Sequence, residues 1–266
     1  MEANPTVAEL HYGNSYWMAR LASLSYEKDS ERILGILQNG NLQNEDGDSR
    51  FIAVHPFNKG SSQAILVEHE NYYCIAFRGT DEGFDWLDNI SFYPTKGFHR
   101  GFLRSIDRIW DEIYSQYKSC KSKKSKPLFL TGHSLGGAMA VIAATKLDEK
   151  KENFWNIYTF GQPRVLRPTK AEDFDIKYRS LYFRFNFNED IVTRVPTRKG
   201  GYIHIGTYVH IFPNGTIEKN SRNWLDFVSA RPKAAQKLRR NLICSIEDHR
   251  MENYLNAIRH WDFNNT

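Results

Sequence analysis

A short apolar run, Leu128-Phe129-Leu130, passes through Thr131 into Gly132-His133-Ser134-Leu135-Gly136-Gly137, and an alanine-rich stretch follows as far as Leu147. An apolar run of this kind reads as a strand buried on both faces. The small residues after it read as a helix that packs closely through its own backbone. Between them, Gly-x-Ser-x-Gly asks the chain to turn from strand to helix within a few residues, which places Ser134 in strained backbone. Side chains at Gly132 and Gly136 would collide with the adjoining strand and helix. The new helix also points its N-terminus, with free N–H groups and a positive dipole end, at the place where negative charge would develop. A glycine-rich loop that merely turns the chain would use the same residues, so the partners of Ser134 have to decide.

Around this turn, strands and helices alternate over all 266 residues with no linker and no internal repeat. Periodicity predicts a helix over 12–26, strands over 51–55, 62–68 and 72–77, and a helix over 102–117. Further strands are expected at 156–160 and 182–187, with one or two more within 202–212. Helical stretches are expected over 223–228, 233–246 and from Asp248-His249 to Trp261. Residues 40–48 read as a loop, and Asp173 and Asp175 as part of a polar connector. The expectation is one α/β domain spanning 1–266, with a mainly parallel sheet covered by helices on both faces.

Composition excludes several other readings. With 41% hydrophobic and 25% charged residues the chain has an ordinary soluble balance, and aromatic residues reach 14%. The net charge of +5 is modest. The basic runs at 118–126 and 231–240 read as a solvated loop and a solvated helix face rather than a nucleic-acid or anionic-lipid site. The three cysteines, Cys74, Cys120 and Cys244, are scattered, so neither a disulfide framework nor a metal-ligand spacing is visible. The N-terminus lacks a secretory pattern and no run approaches membrane-spanning length, which makes the expected location cytoplasmic.

A serine hydroxyl needs a base to take its proton, and the imidazole base needs a third group to fix its tautomer. In α/β-hydrolases those partners follow the serine in the order acid, then histidine. Asp190 stands at the end of a predicted strand, where such sheets place their functional groups, with Glu189 as its nearest rival. Of the nine histidines, His204, His210, His249 and His260 lie beyond it. His204 and His210 fall in alternating strand sequence, and His260 is almost terminal. His249 precedes a helical segment in a loop able to reach over the sheet.

These pieces resemble the class 3 lipases, the family of the fungal triacylglycerol lipases. The resemblance rests on Arg78-Gly79-Thr80, Asp85-Trp86-Leu87, Phe98-His99-Arg100-Gly101-Phe102 and the Ser134 turn. It continues through Phe160-Gly161-Gln162-Pro163-Arg164-Val165, Asp190-Ile191-Val192 with Pro196, the segment 201–206, and Asp248-His249 with Tyr254. It implies an α/β-hydrolase fold, Ser134 as nucleophile, Asp190 as orienting acid and His249 as general base. It further implies an oxyanion hole from the Leu135 N–H and from Thr80. His99 reads as structural or pocket-lining. Two departures, Leu166-Arg167 where the family has Gly-Asn and Thr193 where it has proline, fall at the pocket rim.

The expected activity is hydrolysis of a carboxylic ester through an acyl-enzyme, with fatty acids released from acylglycerols and neither cofactor nor metal. A phospholipase A1 or a short-chain esterase on the same scaffold, or a catalytically silent binding module, are the alternatives. Residues 81–96, carrying Trp86, Leu87 and Ile90 beside acidic groups, read as a short lid that could meet a lipid surface transiently. The expected partner is therefore a lipid or other ester substrate, with no nucleic acid and no transmembrane segment.

Overall fold

The computed structural model of the chain describes residues 2–40, 46–80, 94–219 and 246–261. Helices α1 (Tyr12–Leu24) and α2 (Ser30–Asn39) come first, followed by strands β1 (Phe51–Lys59), β2 (Ser62–His69) and β3 (Tyr73–Phe77). A two-stranded ribbon, β4 (Pro94–Thr95) and β5 (Phe98–His99), leads into helices α3 (Arg100–Asp107) and α4 (Trp110–Lys123). Then come β6 (Leu128–His133), α5 (Leu135–Glu149), β7 (Asn156–Phe160), α6 (Pro168–Tyr178) and β8 (Tyr182–Phe187). Strands β9 (Thr207–Ile211) and β10 (Ile217–Lys219) and helix α7 (Met251–Arg259) complete the described elements.

The main sheet has eight strands in the order β1-β2-β3-β6-β7-β8-β9-β10. The five central strands from β3 to β9 are parallel, and the two edges add antiparallel hairpins. Every residue of β3, β6 and β7 is buried, which is why their sequences run apolar without alternation. On one face a core of Leu66, Ile75, Leu130 and Ile157 packs against α3, α4, α5 and α6. On the other, Cys74, Phe129, Tyr158 and Phe185 pack against α1, α2 and α7. Helix α5 is apolar nearly all round, as a helix sunk in a core should be, and its Ala138, Ala140, Ala143 and Ala144 are fully buried.

Several sequence expectations are corrected. The 102–117 periodicity is carried by two helices that break at Arg108 and Ile109, with the second running through Lys123, so much of the basic stretch is helical. Asp173 and Asp175 lie on α6, which opens with proline at its first position. Helix α2, capped by the Asp29 carboxylate accepting from the Glu31 and Arg32 N–H groups, was not anticipated. His204 lies outside any strand, since only a single bridge pairs Leu166 with Ile203 before β9 begins. The expected helix at 223–228, the expected helix at 233–246 up to residue 245, and the 231–240 basic run fall outside the described residues. Among the described residues no helix is long and apolar enough to cross a membrane.

Candidate active site

Four neighbouring strands, β3, β6, β7 and β8, deliver their carboxyl ends to one rim of the sheet. The segments that follow them are Arg78-Gly79-Thr80, Ser134, Gly161 and 188–190, so this rim is where chemistry collects. Ser134 has φ 58° and ψ −128°, a conformation few side chains adopt, and its N–H donates to the Phe160 carbonyl at 2.9 Å. The glycines around it are steric necessities. A Cβ on Gly132 would lie 2.4 Å from the Gly136 carbonyl carbon, and one on Gly136 would lie 2.0 Å from the Phe77 oxygen. Strand, turn and helix can close up only with hydrogen at both positions.

Asp190 is fully buried after β8 and its carboxylate is held at both oxygens. Oδ1 accepts from the Val192 N–H at 2.9 Å, while Oδ2 meets His249 Nδ1 at 2.8 Å and accepts from the Tyr254 hydroxyl at 2.5 Å. An aspartate that faces Nδ1 fixes that nitrogen as the protonated one and leaves Nε2 to act as the base. His249 reaches the rim from the turn before α7. Asp248 anchors that turn by accepting from Asn188 Nδ2 at 3.0 Å and the Glu189 N–H at 3.2 Å. Tyr254, on α7, accepts from the Phe187 N–H at 3.0 Å, so one hydroxyl ties the helix to both the strand end and the acid.

Three residues with parts in this site were given no role of their own from sequence. Gly161, with φ 58°, backs directly onto the paired Asp190 and His249 side chains: a Cβ there would lie 2.8 Å from Asp190 Oδ2 and 2.8 Å from His249 Nδ1. His133 is buried inside the turn, with Nε2 2.7 Å from the His249 carbonyl and Nδ1 2.8 Å from the Tyr26 hydroxyl. A carbonyl only accepts, so Nε2 carries the proton and Tyr26 donates to Nδ1. Burial, and then the neighbouring His249, push the His133 pKa well below the ordinary value. The ring is thus neutral and sits 4.5 Å from the His249 ring without opposing a charge there. Burial likewise raises the Tyr26 pKa, so its hydroxyl stays a donor.

Leu135 directly follows Ser134, and Thr80 follows Gly79 after β3. Leu135 opens α5, and Thr80 Oγ1 is buried with no hydrogen-bond partner among the described residues. A buried hydroxyl without a partner is costly, and a free donor of this kind is able to stabilise an anion that forms next to it. Gly79 lies against the turn, since a Cβ there would sit 3.1 Å from the Ser134 Cβ. His99 is packed against Phe102 and Tyr202, with centroids at 4.1 and 5.7 Å. Burial lowers its pKa to about 4, which fits a packing ring rather than a second base. The lid residues Trp86, Leu87 and Ile90 lie outside the described residues, and of 81–96 only 94–96 is described, opening with β4.

Residues 74–200 match the family model for class 3 lipases. The chain is 32% identical over 166 residues to the secreted mono- and diacylglycerol lipase LIP1 of Malassezia globosa, covering 59% of this chain and 54% of that protein. It is 31% identical over 163 residues to a lipase of Rhizomucor miehei, covering 55% and 44%. The chain spans about half the length of the curated relatives it matches. Among solved structures, a mutant form of MDLA from Penicillium cyclopium is similar with a TM-score of 0.67 at 20% identity, over 88% of this chain and 91% of that one. The native Rhizomucor miehei lipase propeptide complex gives 0.62 at 26% identity, over 75% and 68%. A triacylglycerol lipase described as having a serine protease triad at its catalytic centre gives 0.60 at 25% identity, over 74% and 79%. The chain therefore has the α/β-hydrolase fold, and over residues 74–200 it is similar to the class 3 lipases.

Proposed function

We propose that this chain hydrolyses carboxylic esters of fatty acids, acylglycerols above all, through a Ser134-bound acyl intermediate. The observation that carries this reading is the pairing of His249 Nδ1 with a buried Asp190 at 2.8 Å, at the same rim as a serine in strained backbone. Ser134 Oγ attacks the ester carbonyl while His249 Nε2 takes its proton, and Asp190 steadies the imidazolium. The carbonyl oxygen, now an anion, accepts from the Leu135 N–H and the Thr80 hydroxyl. His249 then returns the proton to the departing alcohol. Water repeats both steps, freeing the fatty acid and restoring Ser134.

The relatives' names support glycerol esters as the substrate class: one is a mono- and diacylglycerol lipase and another a lipase. The test pairs the Ser134→Ala variant with a substrate series of monoacylglycerol, triacylglycerol, phosphatidylcholine and nitrophenyl esters of rising chain length. Wild-type turnover should favour acylglycerols, and Ser134→Ala should lower kcat by roughly 10⁴–10⁶-fold. Retained turnover in the variant would remove the nucleophile assignment. A preference for phosphatidylcholine or for short nitrophenyl esters would replace the substrate class and leave the mechanism standing.

A further inference from the structure

Far from the serine, on the outer strands of the sheet, three side chains of different chemistry converge. His55 on β1 and Glu68 on β2 are near neighbours across the antiparallel pair, in which Ala53 faces Glu68 and His55 faces Leu66. Cys120 approaches from the last turns of α4. His55 Nε2 lies 2.6 Å from Glu68 Oε1, Cys120 Sγ lies 3.4 Å from the same oxygen, and all three donor atoms fall within 4.8 Å of one another. The thiol is free of any disulfide. Gln116, one turn earlier on α4, reaches both His55 Nδ1 at 3.4 Å and Cys120 Sγ at 3.6 Å.

We propose that His55 Nε2, a Glu68 carboxylate oxygen and Cys120 Sγ bind one borderline-soft divalent cation of the zinc type, which fastens the β1–β2 edge to α4. The donor set of one imidazole, one carboxylate and one sulfur is a zinc set, unsuited to calcium or magnesium, which take oxygen alone. Bonds of about 2.0–2.3 Å in a tetrahedron hold donors roughly 3.3–3.7 Å apart, so these atoms need shifts on the order of 1 Å. The sulfur comes from a residue that is 2% exposed, whereas the His55 and Glu68 side chains are 30% and 19% exposed and offer an entry path. Three protein ligands leave the fourth position to water.

Coordination displaces protons rather than charges. The Cys120 thiol loses its proton to solvent, and His55 presents Nε2 as a lone pair with its proton on Nδ1. Gln116 is placed to accept that Nδ1 proton once its amide turns over, the outer-shell contact that orients a metal-bound imidazole. The ligands are 13 and 52 residues apart in the chain, so no spacing pattern announces them. The site has no part in the proposed ester chemistry and stands or falls separately from it.

The experiment uses the full chain, stripped with a chelator and titrated with Co²⁺ and with Zn²⁺ against a chromogenic competitor. Wild-type protein should take up one Co²⁺ and show a thiolate-to-cobalt charge-transfer band in the near ultraviolet. The band should vanish in Cys120→Ser and persist in Cys244→Ser. Zn²⁺ affinity should fall more than about 100-fold in Cys120→Ser and in the half-exposed His55→Gln, beyond what loss of an outer-shell contact costs. Zn²⁺ should raise the melting temperature of wild type and of neither ligand variant, with far-ultraviolet dichroism confirming that each is folded. A wild-type spectrum without the thiolate band, a band that survives Cys120→Ser, or unchanged affinity in His55→Gln would overturn the proposal and leave the trio as a hydrogen-bonded cluster only.

Discussion

Replacing Gly161 with alanine should disturb the Asp190–His249 pair without replacing either of its members. The added methyl would stand 2.8 Å from Asp190 Oδ2, 2.8 Å from His249 Nδ1 and 2.9 Å from His249 Cε1. Carbon atoms rest comfortably at about 3.5 Å or more, so carboxylate and ring must each yield by roughly 0.7 Å. Neither has room, because Asp190 is held by Val192 and Tyr254 and the His249 turn by Asp248. A misplacement near 1 Å costs about 10²-fold in rate, and complete loss of the orienting carboxylate about 10⁴-fold, which brackets the expected fall in kcat. Alanine at φ 58° also costs about 1–2 kcal/mol of stability. Gly215→Ala separates the two effects, since Gly215 has φ 85° with nothing within 4 Å of the added Cβ. Nitrophenyl-ester turnover and thermal unfolding, measured on both variants, make the comparison. Gly161→Ala turning over within about threefold of Gly215→Ala would refute the steric reasoning.

Tyr254→Phe deletes the hydroxyl shared by Asp190 and the Phe187 N–H. It should lower stability by about 1–3 kcal/mol in urea unfolding, with kcat down about tenfold; unchanged stability would mean the contact contributes nothing. His99 predicts an acid-side loss of stability. The folded ring resists protonation down to about pH 4, while the unfolded ring takes up its proton near its ordinary value of 6.5. Below that value the unfolded state gains protons that the folded state refuses, so this contribution is intact above about pH 6.5 and fades as pH falls toward 4. His99→Leu should flatten the curve of melting temperature against pH between those limits, by up to about 1.4 kcal/mol per pH unit, and an unchanged slope would rule out the assignment.

The sequence announced the parts of the site that depend on local shape. A turn as tight as the one at Ser134 demands glycines at fixed positions, and those glycines are visible in one dimension. Strands β7 and β8 were legible to the residue because both are bounded by abrupt changes of composition. Helix α6 was not, since Ile176, 85% exposed, breaks the apolar spacing set by Ala171 and Phe174, although Pro168 at its start was a usable signal. Helix α2 hid behind Gly35, and its Asp29 cap was the clue. The contributions of Gly161, Tyr26 and His133 could not be read from the chain, because each arises from contact between segments far apart in sequence. Tyr26 lies 107 residues from His133, and His133 lies 116 residues from His249.

The imidazole that would do the proton work sits in the turn just before the nine-residue helix α7, which is fastened to the sheet by Tyr254 and by an apolar face of Met251, Leu255 and Ile258. Thr80, Ser134 and Asp190 instead follow the interior strands β3, β6 and β8, which loosen only with the whole sheet. Heating or mild denaturant should therefore silence such a protein in two stages, first by peeling α7 and the turn before it from their seat and only later by melting the sheet. Cooling after the first stage should restore the site quickly, since one short segment has merely to dock again.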